Sequence, residues 1–273
     1  MTQTYRELPP PASLNAHISC FWVQKVSEGG SAYRHRTVPN GCIEIHAFPQ
    51  HARIAVVGPY KRARIDHLAP GAAVIGVRLR PGAADLLGVS AGEIIDKRLP
   101  LEAIWGPAAT ELAEELAEQQ SPDRACTQLA LALGRRARDA APSDPLVPKV
   151  VEAMQRVRTR RVDHLAGDLF LSPRQLRRRC LAAFGCGPKA LQRVLRFQRF
   201  LALSHFQREA RLASLAIEAG YADQAHLTHE AVELAGIPPA KLLAETRSSC
   251  GPNHDHSVSF NTQARGRRRD EQA

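Results

Sequence analysis

The sequence predicts an α+β chain: an antiparallel, β-rich N-terminal domain with helices, then an all-α domain in which a two-helix unit occurs twice around one long helix. Three observations predict it. Short apolar or alternating runs rich in β-branched residues fill the first 80 positions, helical periodicity takes over from Pro81, and a helix-turn-helix pattern repeats at an offset of 50 residues. At 273 residues the chain can bury two cores.

Four N-terminal segments read as strands: HISCFWVQKV (17–26), CIEIHAF (42–48), ARIAVV (52–57) and AAVIGVRL (72–79), with Pro39-Asn40-Gly41 as a tight turn. Together they predict a mostly antiparallel sheet or small barrel. Beyond Pro81, PGAADLLGV, AGEII and LEAIWG read as short helices, and PAATELAEELAEQQ sets Leu112 and Leu116 on one face with glutamates on the other. Ser121-Pro122-Asp123 opens another amphipathic helix that passes Leu129 and Leu133 and ends on Arg135, Arg136 and Arg138. Cations suit a helix C-terminus, so these arginines need no functional reading.

APSDPLVP (141–148) holds three prolines in eight residues and reads as a linker between a first domain over 1–140 and a second over 149–247. LVPKVVEAMQRVRT and RVDHLAGDLF follow as helices. Ser172-Pro173-x-Gln175 combines an N-cap, proline at the first helical position and a capping-box glutamine, so it starts a helix that runs to about Phe184 and stops at Gly185. Leu165-Ala166 returns as Leu215-Ala216. Phe184-Gly185-Cys186-x-Pro188-x-x-Leu191 returns as Ala235-Gly236-Ile237-x-Pro239-x-x-Leu242, one residue later in register because the second turn, Gly220 to Asp223, is longer. Between the copies PKALQRVLRFQRFLALSHF (188–206) has no Gly or Pro after its first residue and predicts a long connecting helix. The tail 248–273 lacks periodicity and reads as disordered, with His254-x-His256 too sparse for a metal site and Arg265 to Arg269 a solvated basic stretch.

Charge is distributed unevenly. Residues 149–213 carry 15 Lys and Arg against 4 Asp and Glu, a net of +11, whereas 1–148 carry 16 against 15 and 214–247 carry 2 against 5. Concentration of the excess in one helical segment is the electrostatic footprint of a nucleic-acid partner. No apolar run approaches the ~18–20 residues of a spanning helix, which argues against a membrane partner. The start MTQTYRELPPPASL lacks the basic region and apolar stretch of a secretory signal, so a cytoplasmic location is expected. The six cysteines form no C-x-x-C pair and no zinc spacing, and read as buried thiols in a reducing compartment. Neither a cofactor motif nor a catalytic constellation emerges.

On the helix opening at Ser172, Leu176 and Cys180 face inward, Arg174, Arg177 and Arg178 share an outward face at i, i+3 and i+4, and Arg179 points elsewhere. A guanidinium presents two parallel donors that match guanine O6 and N7, so three of them on the second helix of a helix-turn-helix suit major-groove readout. A solvated face touching only phosphates is the alternative. The second copy, DQAHLTHEAVEL (223–234), carries no Arg or Lys but has Asp223, Glu230 and Glu233. Gln224, His226, Thr228 and His229 offer neutral hydrogen bonds to adenine edges or phosphates; equally, this copy can serve mainly to pack against and support the first.

These motifs carry a resemblance. From about Val150 to Thr246 the chain resembles the AraC/XylS-type transcriptional regulators, through LAGDLFLSPRQLRRRCLAAFGCGPKAL and SLAIEAGYADQAHLTHEAVELAGIPPAKL, the latter at A-x-x-x-G-Y-x-D-Q-x-H and G-x-x-P. The resemblance implies a DNA-binding unit of two helix-turn-helix subdomains joined by a long helix, double-stranded DNA as partner, and RNA polymerase as a further partner of an activator. Its base-reading positions fall on Arg174, Arg177 and Arg178, and on Gln224, Ala225, His226, Thr228 and His229. The family usually has Phe at 180, 227 and 231 and Arg at 229; this chain has Cys180, Leu227, Ala231 and His229.

The N-terminal part is similar to an uncharacterised domain of one branch of these regulators through CFWV (20–23), PNGCIEI (39–45), VVGP (56–59), GVRLRPGAADLLGV (76–89) and PLEAIWG (100–106). That implies effector sensing by a small molecule of unknown identity, or homodimerisation. Trp22, Glu44, His46 and Arg78 can be imagined around a pocket, but each is more simply a strand residue satisfied by its neighbours. The reading is a sequence-specific transcription regulator that is not an enzyme and depends mainly on its first helix-turn-helix. The alternative is an enzyme of the DNA-repair alkyltransferase kind fused to a helix-turn-helix domain, against which stands the absence of a Pro-Cys-His-Arg nucleophile context around Cys42 or any other cysteine.

Overall fold

Among the described residues, the alternation in the first hundred positions builds eight strands: β1 (Gln3–Leu8), β2 (Ile18–Val26), β3 (Tyr33–Thr37), β4 (Glu44–Phe48), β5 (Arg53–Val57), β6 (Arg64–Leu68), β7 (Ala73–Leu79) and β8 (Arg98–Pro100). Six form a sheet in the order β1-β2-β7-β4-β5-β8, and β3 pairs with β6 as a separate ribbon; every pairing is antiparallel. The computed structural model describes residues 3–29, 32–119, 121–140, 144–155 and 161–249. Expectations for 250–273, including His254, His256 and the arginines at 265–269, and for Arg156, Arg158 and Arg160, lie outside those residues.

The four anticipated strands are β2, β4, β5 and β7. Those not anticipated are the two sheet edges, β1 and β8, and the ribbon. QTYREL carries charge on both faces, and YRHRT and RIDHL set charged residues on one face and histidine on the other, which edge and ribbon strands tolerate because neither face need be wholly apolar. Pro39-Asn40-Gly41 does not join paired strands. Gly41 is left-handed (φ 70°), and the Asn40 side chain accepts from the Cys42 amide at 2.9 Å, turning the chain from ribbon to sheet.

One sheet face carries Phe21, Val23, Ile45, Ile54, Val56, Ile75 and Val77 into the main core. Against it pack Leu112 and Leu116 of α3 (Pro107–Ala117) and Leu129 and Leu133 of α4 (Pro122–Asp139), following α1 (Ala91–Ile94) and α2 (Glu102–Trp105). The stretch PGAADLLGV is a 3-10 turn, Ala83–Leu87, rather than an α-helix, because left-handed Gly82 and Gly88 bracket it too closely. The opposite face, one residue out of step, presents Cys20, Trp22, Val74, Glu44, His46 and Arg78. Gly76 is required there: the Trp22 ring lies over it so closely that a Cβ would sit 1.8 Å from a ring carbon.

The second domain comprises α5 (Leu146–Gln155), α6 (Val162–Asp168), α7 (Pro173–Phe184), α8 (Pro188–Phe206), α9 (Leu212–Ala219), α10 (Gln224–Ala235) and α11 (Pro239–Ser249). Helix α5 begins inside the proline-rich stretch, with Pro148 in its first turn where the missing N–H costs nothing, and α11 runs two residues into the presumed tail. Two cores result. Val150, Leu165, Leu176, Cys180, Phe184 and Leu191 close the first; Phe197, Phe200, Leu215, Tyr221, Leu227, Leu234 and Leu242 close the second. Helix α8 contributes to both, so it is the common spine. Cys20, Cys42, Cys126 and Cys180 are buried free thiols and Cys186 is half-buried. Among the described residues no helix is long and apolar enough to cross a membrane.

Candidate nucleic-acid interface

The two copies turn in the same way. In the first, the Leu171 amide donates to the Ala166 carbonyl at 2.9 Å and Phe170 to Gly167 at 2.9 Å; in the second, Tyr221 donates to Ala216 at 2.9 Å and Gly220 to Ile217 at 3.0 Å. Both turns pass through a left-handed residue, Gly220 (φ 96°) and, unusually, Phe170 (φ 55°), whose side chain is 97% exposed. Capping then differs. Ser172 and Gln175 form the full reciprocal box, with Gln175 N–H donating to Ser172 Oγ at 3.2 Å and Ser172 N–H to Gln175 Oε1 at 2.8 Å. Asp223 caps α10 alone, accepting from the His226 amide at 2.7 Å.

Leu176 and Cys180 of α7 are fully buried, and this fixes which way its arginines point. Arg174, Arg177 and Arg178 are all exposed, on one face, and none pairs with a described acid. Arg179 turns back and pairs with Asp144. The face is a row of three cations presented at the capped N-terminal half of a helix.

On α10 the arrangement is different. Gln224, Ala225 and His229 are exposed, whereas His226 and Thr228 are half-buried. The Thr228 hydroxyl donates to the Gln224 carbonyl at 2.8 Å, and His226 accepts from the Ala222 amide at 3.4 Å through Nδ1 while its ring meets Tyr221 edge-on at 5.2 Å. His229 Nε2 lies 3.7 Å from Glu233 Oε1. The seven sequence-predicted residues therefore form two groups on separate helices, each helix packed against α8.

Sequence reasoning missed Glu230. It is only 3% exposed and receives Arg196 at 2.6 Å and Arg193 at 3.1 Å, both from α8. Arg193 also pairs with Glu233, and Arg196 lies over the Tyr221 ring at 4.7 Å. The carboxylates outweigh the cost of burial and raise the Arg193 guanidinium pKa, while Arg193 holds the Glu233 carboxyl below its ordinary value. Arg199 is spent on the Gln155 carbonyl. The basic excess of 149–213 is thus partly internal, since Arg193 and Arg196 neutralise acids from the segment that carries net negative charge. The opposite signs of the two segments were the available signal.

On the sheet side, Trp22, Glu44, His46 and Arg78 do meet. Arg78 Nε donates to Glu44 Oε1 at 2.8 Å, Asn40 reaches the same oxygen at 3.2 Å, and His46 Nε2 lies 3.1 Å from Oε2. Burial opposes ionisation of Glu44, but Arg78 and His46 hold its carboxyl well below the usual range. The four line a cavity of about 470 Å³, whose far wall is Leu201, Ser204 and His205 of α8 with Leu242 and Leu243 of α11. Burial pushes the Cys20 and Cys180 thiols up to about 12 and those of Cys126 and Cys186 to about 11. None of these four is an activated nucleophile.

Two helix pairs of matching turn geometry on one shared helix define a protein with a duplicated helix-turn-helix domain. Residues 165–245 match the model of a helix-turn-helix domain, and residues 6–100 match a domain of unknown function (DUF6597). The chain therefore carries a helix-turn-helix domain behind an N-terminal domain of unknown function. No curated protein matches it in sequence. Among solved structures it is similar to ToxT from Vibrio cholerae, with 11% identity over 90% of this chain and 99% of that one at a TM-score of 0.46. It is likewise similar to ToxT bound to (E)-4-(8-methylnaphthalen-1-yl)but-3-enoic acid, at 11% identity over 82% and 98% and a TM-score of 0.48. For the ToxT structure with an unsaturated fatty acid bound, the values are 10%, 91%, 96% and 0.43.

Proposed function

We propose that this protein is a cytoplasmic, sequence-specific DNA-binding transcription regulator that reads the major groove mainly through α7. The observation that carries the reading is the row Arg174, Arg177 and Arg178, exposed on one face of a capped helix with no described acid to neutralise it. Arginine matches guanine bidentately, and the N-terminal half of the second helix is the part that enters the groove. The second copy supports the first: its acids engage α8, and Gln224 and His229 are its most accessible polar contacts. Domains over 1–140 and 149–247 divide the labour, the first sensing or dimerising and the second binding DNA.

The test is binding to a duplex selected by the full chain from a random-sequence library. Arg177→Ala or Arg178→Ala should weaken that duplex by ~1–3 kcal/mol and leave random DNA much less affected. Equal losses on both would show phosphate contact alone.

A second reading concerns the cavity of about 470 Å³, which is of ligand size and walled by both domains. We infer that it admits a small-molecule effector. Screening the full chain against a metabolite library for a raised melting temperature tests this; dimerisation with no shift from any compound favours a purely dimerising domain.

A further inference from the structure

Both α7 and α10 end against the N-terminal domain. The carbonyls of a helix's last turn lack partners within the helix, and a cation or N–H donor from elsewhere can satisfy them. At the end of α10, Arg36 of β3 donates through Nη1 to the Ala235 carbonyl at 2.7 Å, and the Ala63 amide, just before β6, donates to the Leu234 carbonyl at 2.7 Å. The same guanidinium donates through Nε to Glu245 of α11 at 2.9 Å. It is largely buried, with its side chain 10% exposed. At the end of α7 the contact is close packing, against the α1 backbone and the Ile95 side chain. A Cβ on the C-cap residue Gly185 would sit 2.8 Å from the Ala91 carbonyl oxygen, and one on Gly92 3.2 Å from the Leu181 carbonyl oxygen.

We propose that the N-terminal domain is the spacer that sets the separation and tilt of the two reading helices, holding each by its C-terminal end, and that Arg36 is the positioning residue for α10. The inference rests on the DNA-reading proposal above and adds to it the residue that places the second reader. The Glu230 clamp and the burial of Leu227 and Leu234 seat α10 within its own subdomain, but neither ties its end to the N-terminal domain. Arg36 and Ala63 add a second fixed point some three turns from the Asp223 cap, and two fixed points define a direction.

The experiment uses the full chain as wild type, Arg36→Ala and Arg36→Lys, each taken through selection from a random-sequence duplex library and then titrated with the wild-type duplex. Wild type should enrich two half-sites at one separation. Arg36→Ala should keep the half-site that depends on Arg177, blur the other and relax the separation. Its affinity should fall about tenfold for the wild-type duplex, the size of one charged hydrogen-bond network, and stay within about twofold of wild type when the second half-site is scrambled. Arg36→Lys, which keeps a donor for one carbonyl, should fall between. Equal weakening of both half-sites would mean that Arg36 is merely structural, and an unchanged motif, or a wild-type motif with one half-site only, would refute the positioning role while leaving the DNA-reading proposal intact. A wild-type chain that enriches no sequence overturns the DNA reading itself.

Discussion

Phe170 stands where its twin in the second copy is Gly220, in the same hydrogen-bonded turn and the same left-handed region. Left-handed backbone costs a residue with a Cβ roughly 1–2 kcal/mol, and a side chain that is 97% exposed recovers little by burial. Phe170→Gly should therefore raise unfolding free energy by about 0.5–1 kcal/mol, after allowing for glycine's entropy in the unfolded chain. A denaturant titration that shows a loss instead would mean that the ring is packed in solution. Ser172 presents the opposite case. It satisfies the α7 N-terminus through its hydroxyl, so Ser172→Ala should cost ~1 kcal/mol in the same assay. Pairing of Ser172 with Gln175 was legible in the sequence because a capping box is a local pattern. The φ of Phe170 was not, since only alignment of the two copies turn against turn reveals that a glycine position has been filled.

At the scale of elements, the clamp between α8 and α10 decides how the second copy is held. Glu230 accepts two guanidiniums while almost wholly buried, and removal of one partner from a buried ion network leaves charge without compensation. Glu230→Ala should destabilise the second helical core by ~3 kcal/mol, seen as a lower melting temperature with α7 still able to bind a single half-site. A melting temperature within error of wild type would show that the arginines find other partners. The periodicity of Leu176 and Cys180 was enough to orient α7, because burial of an apolar stripe fixes the outward face. It could not reveal that Arg193 and Arg196 face inward. On a helix as basic as α8, which cation meets an acid depends on what packs across from it.

For the whole molecule, acid sensitivity follows from the ribbon and sheet that wall the cavity. Burial, with His46 adding to it, lowers the His35 pKa from 6.5 to about 4, while Asp66 and Glu44 pull the other way and Arg98 reinforces the drop. The folded chain keeps His35 neutral where the unfolded chain protonates it. Stability is thus fully present above about pH 6.5 and is lost as pH falls through about 4. Melting temperature measured from pH 8 to 4 should decline over that window, and His35→Gln should flatten the decline. An unchanged slope in the variant would assign the acid loss to carboxylates, among which Glu44 releases its contribution only at still lower pH.

The sequence by itself determined the two-domain α+β plan, the duplicated helix pairs, the long α8 and the outward set Arg174, Arg177 and Arg178. Each of these rests on periodicity, capping or turn chemistry carried by its own stretch of chain, and the duplication on the return of those local signals 50 residues later. Only the tertiary structure decided that α8 arginines neutralise α10 acids, that Trp22, Glu44, His46 and Arg78 close one wall of a cavity, and that Arg36 reaches the end of α10 across 199 positions of sequence. Those contacts join charged or polar groups whose partners lie on other elements. A guanidinium on a polar strand has no local preference that names its carbonyl, so the packing of the domains alone selects it.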